Sequence, residues 1–348
     1  MDINYRIENI LKVLDQIPDR SITVFGDFCL DKYLYINSAR NERSLETGHI
    51  AYQVDRKSLF PGAGGTVAGN LRALGASVFC VGLVGDDGEG YELLEGLDKI
   101  GAETGLMVRS KDIMTGTYIK PMLGSDDQPY SEIDRIDIRN FKKTSHELED
   151  RLLKNLEKAL AVSEGIVVTD QFLELDYSVV TGRIRNELAM LPRRYPDKVF
   201  YADSRGFVRD YRNIIVKCNQ FELPGADSGS MENDSGSEKH DKEAILKDGA
   251  ELLTVNGCAV VVTSGANGAY IFEGDTVDFI PAFKVEGPID IVGAGDATSA
   301  GVILGKTLGL SLPDSVLLGC CISSITIRQL GVTGTATIGQ IKQQLAKR

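Results

Sequence analysis

Asp290-Ile-Val-Gly-Ala-Gly-Asp296 runs without a break into Ala297-Thr-Ser-Ala-Gly-Val-Ile-Leu-Gly305. A glycine turn thereby hands a carboxylate to the start of a helix built from small residues. Gly293 and Gly295 carry no Cβ, so the backbone N–H groups around Ala294 can approach a ligand closely. The helix adds its unpaired N-terminal N–H groups and the positive end of its dipole. Such a turn suits an anion, and a phosphoryl group in transfer is the leading candidate. Asp296 stands where a base can take a proton from an attacking hydroxyl. Glycine turns capped by Asp are common, so this reading needs a donor site and an acceptor site elsewhere in the chain.

Other polar residues follow strand-like runs: Asp27 and Asp31, Asp170, Asp203 with Arg205, Asn219 with Glu222, and Ser264-Gly265. In open α/β sheets ligands gather at the carboxyl ends of strands. Any one of these residues alone reads as a turn or N-cap residue; six such positions in one sheet point together to a cleft. Gly62-Ala-Gly-Gly-Thr-Val-Ala-Gly-Asn70 precedes a helix, and close helix–sheet packing weighs equally with a substrate-contacting loop. Asn219-Gln-Phe-Glu222 offers an amide and a carboxylate to the water shell of a magnesium ion, or forms an N-cap with its Glu partner. Val262-Thr-Ser-Gly-Ala-Asn-Gly-Ala-Tyr270 is a hairpin or one wall of a nucleotide pocket. Ala300-Gly-Val-Ile-Leu-Gly-Lys-Thr307 ends like a phosphate-binding loop, but it opens on Ala and its middle belongs inside a helix. The half-match of residues 293–298 to a dinucleotide fingerprint lacks the third glycine and the later acid.

Helix-like runs at 67–74, 89–100, 147–161, 177–191 and 244–255 alternate with strand-like runs at 21–26, 78–83, 166–169, 199–202, 214–216 and 259–263. Two more helices follow the glycine turn. This order predicts a mostly parallel central sheet covered by helices on both faces. Residues 33–60 and 115–137 break the rhythm as strands without helices, and predict a small second sheet that is discontinuous in sequence. Residues 226–242 are acidic and rich in Gly and Ser, which predicts a mobile surface loop.

The chain has 348 residues, 43% of them apolar, and a formal net charge of −12. That charge argues against nucleic acid or an anionic membrane as partner. No apolar run is long enough to span a bilayer and no leader is read at the N-terminus. Six scattered cysteines, none in a Cys-x-x-Cys, fit a reduced, cytoplasmic protein. Three well-separated histidines suggest no metal pair.

In their order these motifs resemble the ribokinase/PfkB family of carbohydrate kinases along nearly the whole chain, with the kinase half of ADP-heptose synthase, a heptose-7-phosphate kinase, as the closest likeness. The resemblance implies one ribokinase-like kinase domain over 1–348, a three-layer sandwich whose small β-sheet closes as a lid over the sugar. It implies Asp296 as base with Gly293, Ala294 and Gly295 as anion hole. Asp31, Gly62, Gly64, Gly65, Asn70, Lys120 and Arg135 fall to the acceptor. Asp203, Asn219, Glu222, Thr263, Gly265, Gly268 and Asp290 fall to ATP, with magnesium held through water by Asn219 and Glu222. A monovalent cation is left open, and a homodimer through the lid is implied. Three positions depart from the family pattern: Ala63 and Thr66 stand where it shows Gly and Asn, and Ile291 replaces its Thr. A ketohexose phosphate, ribose or a nucleoside stays open as the acceptor, as does a non-catalytic sugar- or nucleotide-sensing module.

Overall fold

A computed structural model describes residues 2–125, 127–223 and 242–348. The loop expected over 226–242 lies, apart from Lys242, outside the described residues. The main sheet has eight strands in the order Thr276–Pro281, Gly268–Glu273, Val260–Thr263, Ile215–Asn219, Val199–Ser204, Gly165–Asp170, Ser21–Gly26, Ser77–Val81. The six from Val260–Thr263 onward are parallel, and the first two run antiparallel at the edge.

Successive strand residues face opposite sides, and the central strands are apolar on both. Val24 and Val167 enter one core with Leu71, Val302 and Leu317. Phe25, Ile166 and Val168 enter the other with Leu152, Ile184 and Leu252. Helices therefore cover both faces, and every parallel strand delivers its carboxyl end to one rim. No helix among the described residues is long and apolar enough to cross a membrane.

The run at 177–191, expected as one helix, is instead a loop followed by Gly182–Leu188 and Leu191–Arg194. The buried carboxylate of Asp27 accepts the N–H groups of Gln171, Phe172 and Val179 (2.9, 3.3 and 3.0 Å). Those bonds hold the chain in a series of turns until Thr181 caps the helix.

A second sheet of five strands stands at the same rim. Its order is Gln128–Glu132, Thr117–Ser125, Phe28–Asn37, Val54–Ala63, with Ile136–Ile138 also paired to Thr117–Ser125. It begins at Phe28, directly after the first main-sheet strand, so Asp31 lies in it. Its last strand runs into helix Gly64–Ala73 through Ala63, whose φ is 51° and ψ −117°. An alanine in that region is strained by about 1–3 kcal/mol. Ala63→Gly is expected to stabilise the protein by about 1 kcal/mol after the extra entropy of an unfolded glycine is subtracted. The measurement is the urea midpoint at unchanged slope; a lower midpoint would show that no strain is stored there.

Candidate active site

Asp203 and Lys217 are register partners on adjacent parallel strands. Lys217 Nζ lies 2.8 Å from Asp203 Oδ2, and the same oxygen accepts a 2.6 Å bond from Ser299 Oγ. Ser299 in turn lies 3.3 Å from the Tyr201 hydroxyl. All four residues are buried. Burial opposes the ammonium charge, but Asp203, then Tyr201 and Glu222, hold Lys217 above the ordinary lysine range. A Cβ at Gly295 would lie 2.9 Å from Lys217 Nζ. A fixed positive charge thus sits directly beneath the glycine turn, and a side chain at Gly295 would fill its place.

Gly293 is the N-cap of helix Ala294–Thr307 with φ 78°. A Cβ there would also meet the Thr333 and Thr66 methyls at 2.7 and 3.2 Å. The N-termini of helices Ile3–Val13, Gly88–Lys99, His146–Leu160, Leu312–Thr326 and Ile338–Leu345 are capped by side chains of Asp2, Asp87, Ser145, Ser311 and Thr337. Helix Ala294–Thr307 has no such cap, and neither does Gly64–Ala73, which opens on the same rim. The Ala294 N–H closes back on the Ile291 carbonyl at 3.1 Å, which corrects its expected place among the anion donors. Among the described residues, no protein acceptor takes the N–H of Gly295 or Asp296. Unpaired donors at the positive end of a helix call for an anion.

Asp290 braces this turn. Its carboxylate accepts from Val292 N at 3.1 Å and Gly331 N at 3.2 Å, and its own N–H goes to the Ile327 carbonyl. It shapes the loop, where a direct cofactor contact was expected. Asp296 is partly buried in the first turn. Burial and then Asp203 push its carboxyl up to about 7, against the opposing pull of Lys217 and Arg205.

On the acceptor side, Asp31 Oδ1 lies 3.3 Å from Lys120 Nζ, which also donates to the Tyr33 hydroxyl at 3.0 Å. A Cβ at Gly62 would fall 2.5 Å from Asp31 Oδ2, so that glycine makes room for the carboxylate. Arg135 lies across the Tyr118 ring (4.3 Å) and pairs with Asp137 at 2.6 Å. Tyr118, Lys120, Asp31 and Tyr33 share one face by strand alternation and register. Three expected acceptor residues are instead structural. Gly64 packs on Asp27 and bonds its carbonyl, and Gly65 makes room for Pro61. Asn70 is buried and donates to the Thr66 carbonyl one turn back. Thr66 and Asn70 are one helical turn apart on a face turned to the core, because the helix starts at Gly64, three residues earlier than its periodicity predicts.

On the other side of the turn, Asn219 Oδ1 accepts from Phe221 N and Glu222 N, and Glu222 Oε2 accepts from Asn219 N at 2.7 Å. Burial, with Asp203 beyond it, raises the Glu222 carboxyl. An amide and a carboxylate locked together at a strand end, beside Asp203, fit an ion that keeps most of its own water. Thr263 pairs with Asn219 across the strands. The turn Gly265–Asn267 opens at Gly265, where a Cβ would meet nothing, whereas a Cβ added at Gly268 would collide with the Ile280 carbonyl, so that glycine is required for packing.

Lys217 escaped notice as a site residue, and Arg205 stood among the strand-end residues without an assigned role. A lysine inside the apolar strand Ile-Val-Lys-Cys-Asn was the signal for Lys217, because buried lysines need a partner. Arg205 is exposed at the rim, and its charge acts on Asp296, Cys29 and Tyr118.

The model of the pfkB family of carbohydrate kinases matches residues 20–338. The bifunctional protein HldE of Wolinella succinogenes is 27% identical over 329 residues, covering 93% of this chain and 64% of that protein. HldE of Hyphomonas neptunium is 28% identical over 339 residues, 96% of this chain and 65% of its own length. The chain thus spans just under two thirds of these relatives. Phosphofructokinase-2 from Escherichia coli, solved with potassium, superposes with a TM-score of 0.70 at 17% identity, over 94% of this chain and 98% of that one. Ribokinase of Arabidopsis thaliana, solved with ribose and ATP, gives 0.65 at 16%, with 94% and 98% covered. These likenesses establish a ribokinase-like α/β fold.

Proposed function

The chain belongs to the pfkB family of carbohydrate kinases, and from that premise we propose that it moves the γ-phosphoryl group of ATP onto a hydroxyl of a sugar phosphate, with a heptose 7-phosphate as the first choice. The observation that carries this is the uncapped N-terminus of Ala294–Thr307, with Lys217 beneath it and Asp296 in its first turn.

The acceptor hydroxyl lies between Asp31 and Asp296. Asp296 takes its proton as the oxygen attacks in line. The N–H groups of Gly295 and Asp296 and the Lys217 ammonium face the charge that develops on the transferred group. Magnesium, when bound through water at Asn219 and Glu222, neutralises charge on the nucleotide phosphates. Thr263 and the Gly265 turn wall the nucleotide. The second sheet acts as a lid that keeps water from competing as acceptor. Lys120, Arg135 and Arg205 support an acceptor that already carries a phosphate. The lid hairpin Glu42–Arg43/Ile50–Ala51 exposes Leu45, Ile50 and Tyr52, which supports a second copy of the chain as their cover.

The test is a panel of acceptors with ATP and magnesium, followed by ADP release. Heptose 7-phosphate is expected to surpass the unphosphorylated heptose in kcat/KM by at least about tenfold, the worth of one charge-assisted hydrogen bond. Preference for ribose or a nucleoside would overturn the choice of acceptor, and turnover of none would overturn the activity.

A further inference from the structure

Asp31 and Lys32 are consecutive in Phe28–Asn37, so they leave the second sheet on opposite faces. Asp31 turns to the acceptor side, toward Lys120. Lys32 turns to the back, where Nζ lies 2.8 Å from Glu92 Oε2 and 3.2 Å from Glu89 Oε1 on helix Gly88–Lys99. The neighbouring strand sends Lys57 to the same carboxylate, 2.7 Å from Glu92 Oε1. Both oxygens of Glu92 are therefore engaged, and its side chain is only 17% exposed. Burial works against its charge, yet the two ammoniums hold its carboxyl below the usual range. A partly buried, doubly bridged carboxylate holds its geometry better than an exposed pair.

The same helix anchors the rest of the sheet. Pro61 wedges between Gly65 and Gly96, where added Cβ atoms would come to 2.4 and 2.9 Å. Asp87, its N-cap, accepts from Thr115 N at 2.8 Å and Thr115 Oγ1 at 2.7 Å, just before the strand Thr117–Ser125. Both roots of the second sheet thus stand on one helix, and the ionic bridge to Lys32 and Lys57 is the one of these contacts farthest out along the sheet.

We infer that Glu92 is a positioning residue for phosphoryl transfer: by bridging Lys32 to Lys57 it sets the angle of the second sheet over the cleft, and with it the place of Asp31. This rests on the reading of that sheet as a lid over the acceptor. Glu92→Gln keeps the shape and removes the charge that both lysines share. Helix, turn and Asp296 are untouched, so the loss falls on acceptor binding and on exclusion of water.

The experiment uses the full chain. Amide exchange over residues 30–37 and 54–60, without substrates, is expected to quicken in Glu92→Gln. The acceptor KM is expected to rise about tenfold, the worth of a charged hydrogen bond, with the KM for ATP unchanged. ADP released in excess of phosphorylated acceptor is expected to increase. Raising salt from about 0.05 to about 0.5 M should move wild type toward the variant and leave the variant unmoved. Lys57→Gln, which leaves Lys32 on the carboxylate, should give an intermediate result and serves if Glu92→Gln fails to fold. Unchanged exchange would overturn the bridge as a holding contact. Faster exchange with unaltered acceptor KM would overturn the positioning role, whereas faster exchange with no rise in ADP released in excess of phosphorylated acceptor would overturn the lid reading, whatever the acceptor proves to be.

Discussion

Asp296→Asn is expected to bind ATP as wild type does and to lose between about 10²- and 10⁴-fold in kcat, the range for removal of a general base. The amide keeps the volume and polarity of the side chain but cannot take a proton from the attacking hydroxyl. Its neighbours give the wild type a particular pH profile. Burial and Asp203 raise the Asp296 carboxyl to about 7. A base works only when unprotonated, so kcat/KM, which reports the free enzyme, should fall about tenfold per pH unit below that value and level off above it. The raised pKa brings the base near the operating pH, where proton transfer is most effective. Asp296→Asn should lack this acid limb. A variant that keeps more than about a tenth of wild-type kcat, or retains the limb, would move the base to another residue.

The glycine turn was legible because its chemistry is local. Seven consecutive residues contain the positive-φ N-cap, the glycines that let backbone N–H groups approach a ligand, and the carboxylate, and none requires knowledge of a distant partner. Asp31 was read as a polar residue at the end of the first strand, and the structure puts it inside the second sheet, in Phe28–Asn37. The parallel sheet followed from alternation, since both cores draw on every second residue of the same strands. What escaped notice depends on register between strands far apart in sequence. Lys217 acquires its meaning from Asp203, 14 residues earlier, and from a glycine in a helix 78 residues later (295 minus 217). Asn70 was misassigned because a polar residue after a glycine cluster looks like a ligand group, while the helical register turns it inward. The break at 177–181 was hidden because Asp27, more than a hundred residues earlier, captures the Val179 N–H.

Lys217→Met should damage the protein in two separable ways. The side chain keeps its reach and loses its charge, so Asp203 stays buried with only Ser299 to satisfy it. Breaking one partner from a buried pair costs about 3–5 kcal/mol, which a urea midpoint would read. The turn also loses the cation beneath Gly295. Withdrawal of one preorganised group from a transferring anion costs about 10²–10³ in kcat. With Lys217 gone, its downward pull on Asp296 is gone too, so the acid limb should move to higher pH. Adding Asp203→Asn removes the stranded charge. The double variant is therefore expected to regain most of the stability and none of the rate. If stability and rate recover together, Lys217 serves the fold alone and the phosphoryl group passes elsewhere. If stability returns while kcat stays low, the lysine faces the transferred group. A protein that merely needed to fill this space could have done so with a neutral side chain, because a buried ion pair is seldom more stabilising than an apolar one of the same shape. The charge costs stability at rest, and the anion that the uncapped helix awaits is what repays it.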